Sequence, residues 1–419
     1  MATTSADRIL SLDVIRGIAV MGIFSVNVVG MALPDQAYGY PPAFGFDGLG
    51  DRIMWAANFI LVDGKFRSLF SILFGASMVL VMERGIAGGR KAWQVQYPRM
   101  IVLLLFGLAH FYVLWWGDIL ANYALVGMIA FIFWRLRPKW LLLAAALSLL
   151  AMYAPMVYFG TQQIGKFAAK AAPTASAEDH AFIAKQMADL YPSAEEIAGE
   201  KAAHASVPAH FEAMVEEQTW RPFRSVPSYG LETLGLMLIG MAGYKTGFLT
   251  GSWTRRRYAQ IAAGLIAASV TLFGFGAWRI LRADFDPFTY FPWDQINVSW
   301  MHPFSALGYA ALIMLLFPRR GWLADRVAAV GRAAFTNYLG ATVIGTVLFF
   351  GFGFGLFGEL SRGQAWLIVP VVWAVMLLWS KPWLDRFRYG PFEWAWRSLS
   401  RWKWEPMRKR AATEAVAAV

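Results

Sequence analysis

The chain has 419 residues, 58% of them hydrophobic and only 16% charged, with a mean hydropathy of +0.45. Soluble domains carry nearer a quarter charged residues, and stretches such as 101–114 and 140–152 are apolar all round rather than along one stripe. Those values exclude an ordinary soluble enzyme and indicate an all-α, polytopic membrane protein.

The net charge of +11 is spread as short clusters between apolar runs. A nucleic-acid binder needs a continuous basic face, so no nucleic-acid partner is expected. With no cysteine there are no disulfides, thiolate metal ligands or cysteine nucleophiles.

About 20 apolar residues make one crossing. On that measure ten transmembrane helices are expected, at 14–33, 66–83, 100–117, 119–136, 140–159, 229–248, 259–281, 301–317, 335–357 and 365–383. Basic connections occur at Arg84, Arg90, Lys91 and Arg99, at Arg135, Arg137 and Lys139, and at Arg255, Arg256 and Arg257. Two more follow, at Arg319, Arg320, Arg326 and Arg332 and from Lys381 onward. With ten spans all of them fall on one side, which the positive-inside rule makes cytoplasmic, together with both termini. The first span is expected to stay uncleaved, because Asp13 and Arg16 open it and no small-residue cleavage site follows. Three regions result: a five-span half at 1–159, an extracytoplasmic loop at 160–228, and a second five-span half with a basic tail at 229–419.

Taken in order, the first candidates are Asp13 and Arg16, neighbours on one helix face. They form either a self-contained ion pair or a grip for an anion such as a phosphate. Asn27 ends the same span, where an amide is helix–helix glue or an active donor. Residues 52–62 read as an interfacial helix. Asp63, Lys65 and Arg67 then sit at the outer mouth, as snorkelling charges or as a site. Ser68, Ser71 and Gly75 offer a small-residue face for a neighbouring helix.

The stretch 107–123 is the most pointed. His110 falls ten residues into the expected span, near mid-bilayer, where ionisable groups are costly and mark function. Asp118 follows at the returning turn and is suited to cap the next helix. The loop 160–228, rich in alanine and glutamate, reads as helical and exposed, as a spacer more than a lid. Its histidines, His180, His204 and His210, lack metal-ligand spacing, and no metal is expected. His302, before Pro303, is a second outer acid or base candidate, and Arg332 and Asn337 bring polar groups to the inner mouth of the ninth span. Gly353, Gly355 and Gly358 match a dinucleotide fingerprint in spacing but end a membrane span, where the motif has no meaning.

Several blocks in order, LDVIRGIAVMGIFSVN, GKFRSLFSILFG, GLAHFYVLWWGDILANYAL, GLMLIGMAGYKTGFL, GRAAFTNYLGATVIGTVLFFGFGFGL and GPFEWAWRSLSRWKW, resemble the YeiB-like family (domain of unknown function 418) of bacterial inner-membrane proteins. The opening Leu12-Asp13 and Arg16-Gly17 is also similar to that of transmembrane acyltransferases, including the heparan-α-glucosaminide N-acetyltransferase relatives. In those relatives a histidine follows in the outer loop, whereas residues 28–50 contain none here; in the sugar O-acyltransferases a histidine stands where this chain has Asn27.

The resemblance implies transfer of an acyl group from cytoplasmic acyl-CoA to an extracytoplasmic small-molecule, glycan or lipid acceptor. Arg16, Arg99, Arg332 and Asn337 would hold the donor. His110 would act as general base or acyl carrier, and Asn27 would stabilise the oxyanion. Asp63, Lys65, Arg67, Asp118, Tyr123 and His302 would shape the acceptor pocket. The alternative is a proton-coupled transporter or permease using the same buried groups. Membrane lipids are expected neighbours, and a homodimer is compatible with either reading.

Overall fold

The computed structural model describes residues 5–317 and 320–409, with side chains from Leu10 onward; Arg319 and tail residues 410–419 lie outside the described residues. The regular elements described are helical, with one antiparallel bridge between Phe387 and Arg408. In chain order they are α1 Ser5–Ala32, α2 Asp35–Gly39, α3 Leu49–Leu61, α4 Lys65–Ala87, α5 Ala92–Val113, α6 Leu120–Ala130 and α7 Pro138–Lys170. The loop region holds α8 Ala177–Ala188, α9 Ala194–Ala203 and α10 Val207–Gln218. Then come α11 Arg221–Lys245, α12 Arg255–Arg282, α13 Pro287–Phe291, α14 His302–Leu316, α15 Trp322–Arg332 and α16 Ala334–Phe349. The last are α17 Arg362–Trp366, α18 Ile368–Arg386 and α19 Pro391–Arg401.

Among the described residues, seven helical stretches are long and apolar enough to cross a membrane, and α16 and the stretch Leu120–Phe133 are shorter apolar helices. Every one of the ten expected spans falls on a helix; the sixth is α11, made more polar by Glu232. The chain is thus a polytopic, all-helical membrane protein. Two boundaries move. The ninth span ends at Phe349, not 357, because 350–358 turns back on it, with Gly355 and Gly358 at φ of 68° and 69°. And α5 starts at Ala92, so His110 lies in its final turn, about 27 Å along the axis from its start, and not at its middle.

Helices touch through reciprocal glycines. A Cβ on Gly75 would meet the Met237 carbonyl oxygen at 1.9 Å, and one on Gly240 would meet that of Ile72 at 1.8 Å, so α4 and α11 press backbone to backbone. The same exchange joins α1 to α15: Gly17 against the Val327 oxygen at 2.1 Å, Gly331 against the Asp13 oxygen at 1.8 Å. Helices from the two halves therefore share one core.

Between α3 and α4 the chain makes an elbow at Gly64, whose φ is 68°. Lys65 is fully buried inside that elbow. Its Nζ donates to the carbonyls of Phe59 (2.8 Å) and Asp63 (3.2 Å) and lies 3.3 Å from the Phe273 ring centre. The loop helices α8 to α10 each start on a serine cap: Ser176, Ser193 and Ser206 accept from backbone N–H groups three residues on. They are docked, not loose. His204 stacks on Phe350 at 3.9 Å, Lys201 pairs with Glu359 at 2.6 Å, and the Tyr112 hydroxyl donates to the Thr219 carbonyl at 2.6 Å.

Candidate functional site

Two cavities approach each other from opposite ends of the helix bundle. The first, about 350 Å³, lies at the end where α1 begins and α19 packs. Its rim carries Arg16, Arg84, Arg99 and Arg332, and its depth is apolar, with Phe70, Leu73, Phe74, Met100, Leu103 and Phe335. The Gly17–Gly331 contact sets two of these arginines there, each one residue from its glycine. Arg16 donates to Asp13 (2.9 Å) and Ser77 (2.8 Å), so the ion pair forms and still fronts the cavity. Glu393 of α19 accepts from the N–H groups of Phe335 (2.6 Å) and Thr336 (3.1 Å), capping α16. Burial pushes this carboxyl above its ordinary range, while its bonds to Thr336 pull the other way.

A second hollow of about 530 Å³ continues this cavity outward, sharing Val81, Arg84 and Arg99 with it. It adds Arg90, Arg397, Arg401 and Lys403 beside the single carboxylate Glu405, which Arg401 holds at 2.6 Å. Arg99 is stacked 4.3 Å from the Trp396 ring centre, and Trp396 donates to the Arg99 carbonyl at 2.8 Å. The result is a basic vestibule opening onto an apolar chamber. Like-charged side chains held together without matching acids attract polyanions.

The opposite cavity, about 340 Å³, is lined by Asn27, Asp63, Arg67, Arg221 and Arg224 among the aromatic rings of Tyr38, Trp115, Trp116 and Tyr229. Arg67 is held by Glu232 of α11 at 2.9 Å, and Tyr153 of α7 donates to the same carboxylate at 3.0 Å. Such a pair inside spanning helices is stable only because both charges are satisfied.

A thin partition separates the two ends. Ile119 lines one cavity and Leu120 the other. Tyr123 and Tyr338 reach into the partition from the basic side. The Tyr123 oxygen is 2.6 Å from the Ser71 hydroxyl and 3.3 Å from the Arg67 carbonyl, and Tyr338 reaches the Gly117 carbonyl at 3.4 Å. His110 is embedded in this wall, with Nδ1 3.0 Å from Asp118 and Nε2 3.0 Å from Thr342 of α16. Asp118 also accepts from the Ala121 N–H at 2.8 Å, the capping contact its position suggested. Gly117 is needed because the Trp115 indole folds across it, 2.1 Å from where a Cβ would stand.

Of the residues singled out in sequence, Arg16, Arg99, Arg332 and Tyr123 line the basic cavity, and Asn27, Asp63, Arg67 and Asp118 line the opposite one. His110 is enclosed between them. Lys65 and His302 lie in neither: Lys65 closes the elbow, and His302 stacks on Phe273 at 5.4 Å beneath Gly64. Asn337 is used up by packing, donating to Val330 (3.0 Å) and Ser380 (3.1 Å) and accepting from Trp379 (2.8 Å). Residues not anticipated are Arg84, Ser77, Tyr338 and Trp396 at one end and Arg221, Arg224 and Tyr229 at the other. The last three stand in the first turns of α11, where the long loop passes into the sixth span, and basic residues beside aromatics at a span's entrance were the readable signal.

This arrangement defines an integral membrane protein with ligand-sized chambers at both ends of one helix bundle. A family model described as "Protein of unknown function (DUF418)" matches residues 243–403. The chain is 31% identical to "Uncharacterized protein YxaH" of Bacillus subtilis, covering 97% of this chain and 98% of that one. It is 31% identical to "Uncharacterized protein YeiB" of Escherichia coli, over 94% and 96% of the two chains. A third relative, "Uncharacterized 39.9 kDa protein in amylase 3'region" of Bacillus acidopullulyticus, is 22% identical over 94% of each. No solved structure matches the chain significantly. The chain belongs to the YeiB-like, DUF418 family.

Proposed function

We propose that the protein is an acyltransferase of the bacterial inner membrane, with its basic end in the cytoplasm. The observation that supports this most is the vestibule of Arg84, Arg90, Arg99, Arg397, Arg401 and Lys403 leading into an apolar chamber. Acyl-CoA has that polarity in the same order: phosphates at one end, an acyl chain at the other. Guanidinium groups bind phosphate oxygens in pairs, and Trp396 and Trp404 offer faces for the adenine.

In this reading the thioester lies at Tyr123 and Tyr338, and the acceptor hydroxyl or amine enters the opposite cavity. Its oxygen or nitrogen bonds to the acyl carbon while the carbon–sulfur bond breaks. The proton lost by the acceptor goes to the His110–Asp118 pair, and the coenzyme leaves as thiolate to take a proton from cytoplasmic water. Asn27 faces the acceptor cavity with an amide that has no protein hydrogen bond among the described residues, free to donate to an oxyanion. Reaction requires Tyr123 and Tyr338 to swing from the partition.

Calorimetry of the purified protein with acetyl-CoA and with a long-chain acyl-CoA tests the scheme. Saturable binding that Arg99→Ala weakens is expected; absence of binding by both donors overturns it. The Arg67–Glu232–Tyr153 group, centred on the buried Glu232, gives the transporter reading its one specific support, since intramembrane charges commonly line solute paths. Solute uptake into reconstituted vesicles without any acyl product would favour that alternative.

A further inference from the structure

Beside the outer cavity, and sharing only Val26, Tyr38 and Asp63 with it, lies a smaller chamber of about 200 Å³. Two carboxylates, Asp63 and Asp294, line it together with the guanidinium of Arg362 and the amide of Asn58. Arg362 is 8% exposed, and its Nη2 donates to the Ala37 carbonyl, but its Nε has no hydrogen-bond partner. The Asn58 oxygen, Oδ1, is likewise buried and unpartnered. Among the described residues neither carboxylate is ion-paired with Arg362 or with Lys65, whose ammonium points to the Phe59 and Asp63 carbonyls. Tyr290 lines the same chamber beside Asp294.

A buried donor and a buried acceptor left open in one chamber are costly unless a ligand fills both. The surroundings restrict that ligand's charge. A simple anion would face two carboxylates. A simple cation would leave Arg362 Nε unsatisfied. A neutral polyol would set no charge against either the guanidinium or the carboxylates, while the neighbouring Lys65 ammonium already offsets their excess of one negative charge. A molecule with an ammonium group and an oxyanion a few bonds apart meets all of these demands, and Trp55, Phe59 and Tyr38 supply ring faces on which an ammonium is also favoured.

We propose that this chamber binds a small zwitterion, its ammonium lodged among Asp63, Asp294 and Asn58 Oδ1 and its carboxylate or phosphate against Arg362 Nε. The site stands whether or not the protein transfers acyl groups. Two sources share this chemistry, a free amino acid and the headgroup of an ethanolamine phospholipid, which would arrive from the leaflet around it.

The test uses the full chain in nanodiscs. L-Serine is titrated calorimetrically into protein in phosphatidylglycerol nanodiscs, and retention of phosphatidylethanolamine is measured by mass spectrometry in mixed nanodiscs. Binding of serine identifies the amino-acid source; selective retention of phosphatidylethanolamine without serine binding identifies the headgroup. In either case Asp294→Asn is expected to weaken the interaction by about tenfold, the loss of one charged hydrogen bond. Arg362→Lys should do the same, and Asp294→Asn carries the test alone if that variant fails to fold. Ethanolamine, acetate and glucose serve as cation-only, anion-only and neutral controls. The site is overturned if neither zwitterion binds, if serine binds but a control binds as well, or if folded variants bind like the parent. Acetyl-CoA binding, read in the same samples at the opposite end, separates failure of this site from failure of the acyltransferase reading.

Discussion

The imidazole Nδ1 of His110 lies 3.0 Å from the Asp118 carboxylate, and the two side chains expose 0% and 1% of their surface. The pair is sealed in the partition and tied to a third helix through Thr342. It therefore has a structural duty in addition to any chemical one. His110→Ala leaves Asp118 Oδ1 and the Thr342 hydroxyl without this partner, and a cost of about 1–3 kcal/mol follows. Thermal unfolding in detergent should show the loss. If the pair also takes the acceptor's proton, Asp118→Asn should reduce acyl transfer by about 10²–10⁴-fold with a smaller effect on melting. Equal, small effects of both substitutions on turnover would confine the pair to structure.

The vestibule should behave as an electrostatic trap. Arg84→Ala and Arg99→Ala are expected to weaken acyl-CoA binding, and raising salt should weaken the parent protein more than either variant. The screening length falls from about 10 Å at 0.1 M to about 3 Å at 1 M salt. Affinity independent of salt would contradict a phosphate-binding role.

Glu232 is buried and Arg67 partly open to its cavity, with side-chain exposures of 5% and 31%. Glu232→Gln leaves the guanidinium inside the bundle without its counter-charge, and should cost about 3 kcal/mol or more in stability. The double variant Arg67→Gln with Glu232→Gln should recover part of that loss. A double variant less stable than Glu232→Gln alone would place the arginine's contribution elsewhere, in its packing near Tyr229.

The docked loop should respond to acid. Burial pulls His204 down to about 3 and His210 down to about 4 from an ordinary 6.5. Both are neutral in the docked state, so the docking they support is complete above pH 6.5 and is lost as pH falls toward 4. Glu200 has the opposite sense: burial and the neighbouring Asp35 raise it from 4.5 to about 7, so its ionisation loosens docking as pH rises across that interval. Two histidines outweigh one glutamate on the acid side. The protection factors over 177–218, exchange rates corrected for their intrinsic pH dependence, should therefore fall between pH 6.5 and 4.5, and His210→Phe should flatten that response.

Much of the fold was readable because lipid imposes length and apolarity on each crossing. The site was readable only in part. Arg16 and Arg332 advertise themselves as charges at span ends, yet what places them is a glycine beside each, and helix contact between residues more than 300 positions apart leaves no local trace. His110 looked central because apolar composition begins near residue 100, whereas Arg99 and Gln96 are helical and cavity-facing, which moves the start to Ala92. Lys65 looked like a mouth residue for the converse reason: an ammonium satisfied by two carbonyls and a ring face leaves no signature in sequence. The histidines of the loop showed no ligand spacing, and the actual partner of His204 and His210, Phe350, lies beyond the ninth span.

The adjacency of Ile119 and Leu120 across the partition has an electrical meaning. Where solvent enters both cavities, the membrane voltage no longer falls evenly over about 30 Å of hydrocarbon but concentrates on the partition. A unit charge carried past it would feel nearly the whole potential, about 2.3 kcal/mol for each 100 mV. In the acyltransferase reading, proton transfer at Asp118 or rotation of the Tyr123 dipole would then be coupled to the energised state of the membrane, and acyl transfer in sealed, polarised vesicles should differ from that in detergent.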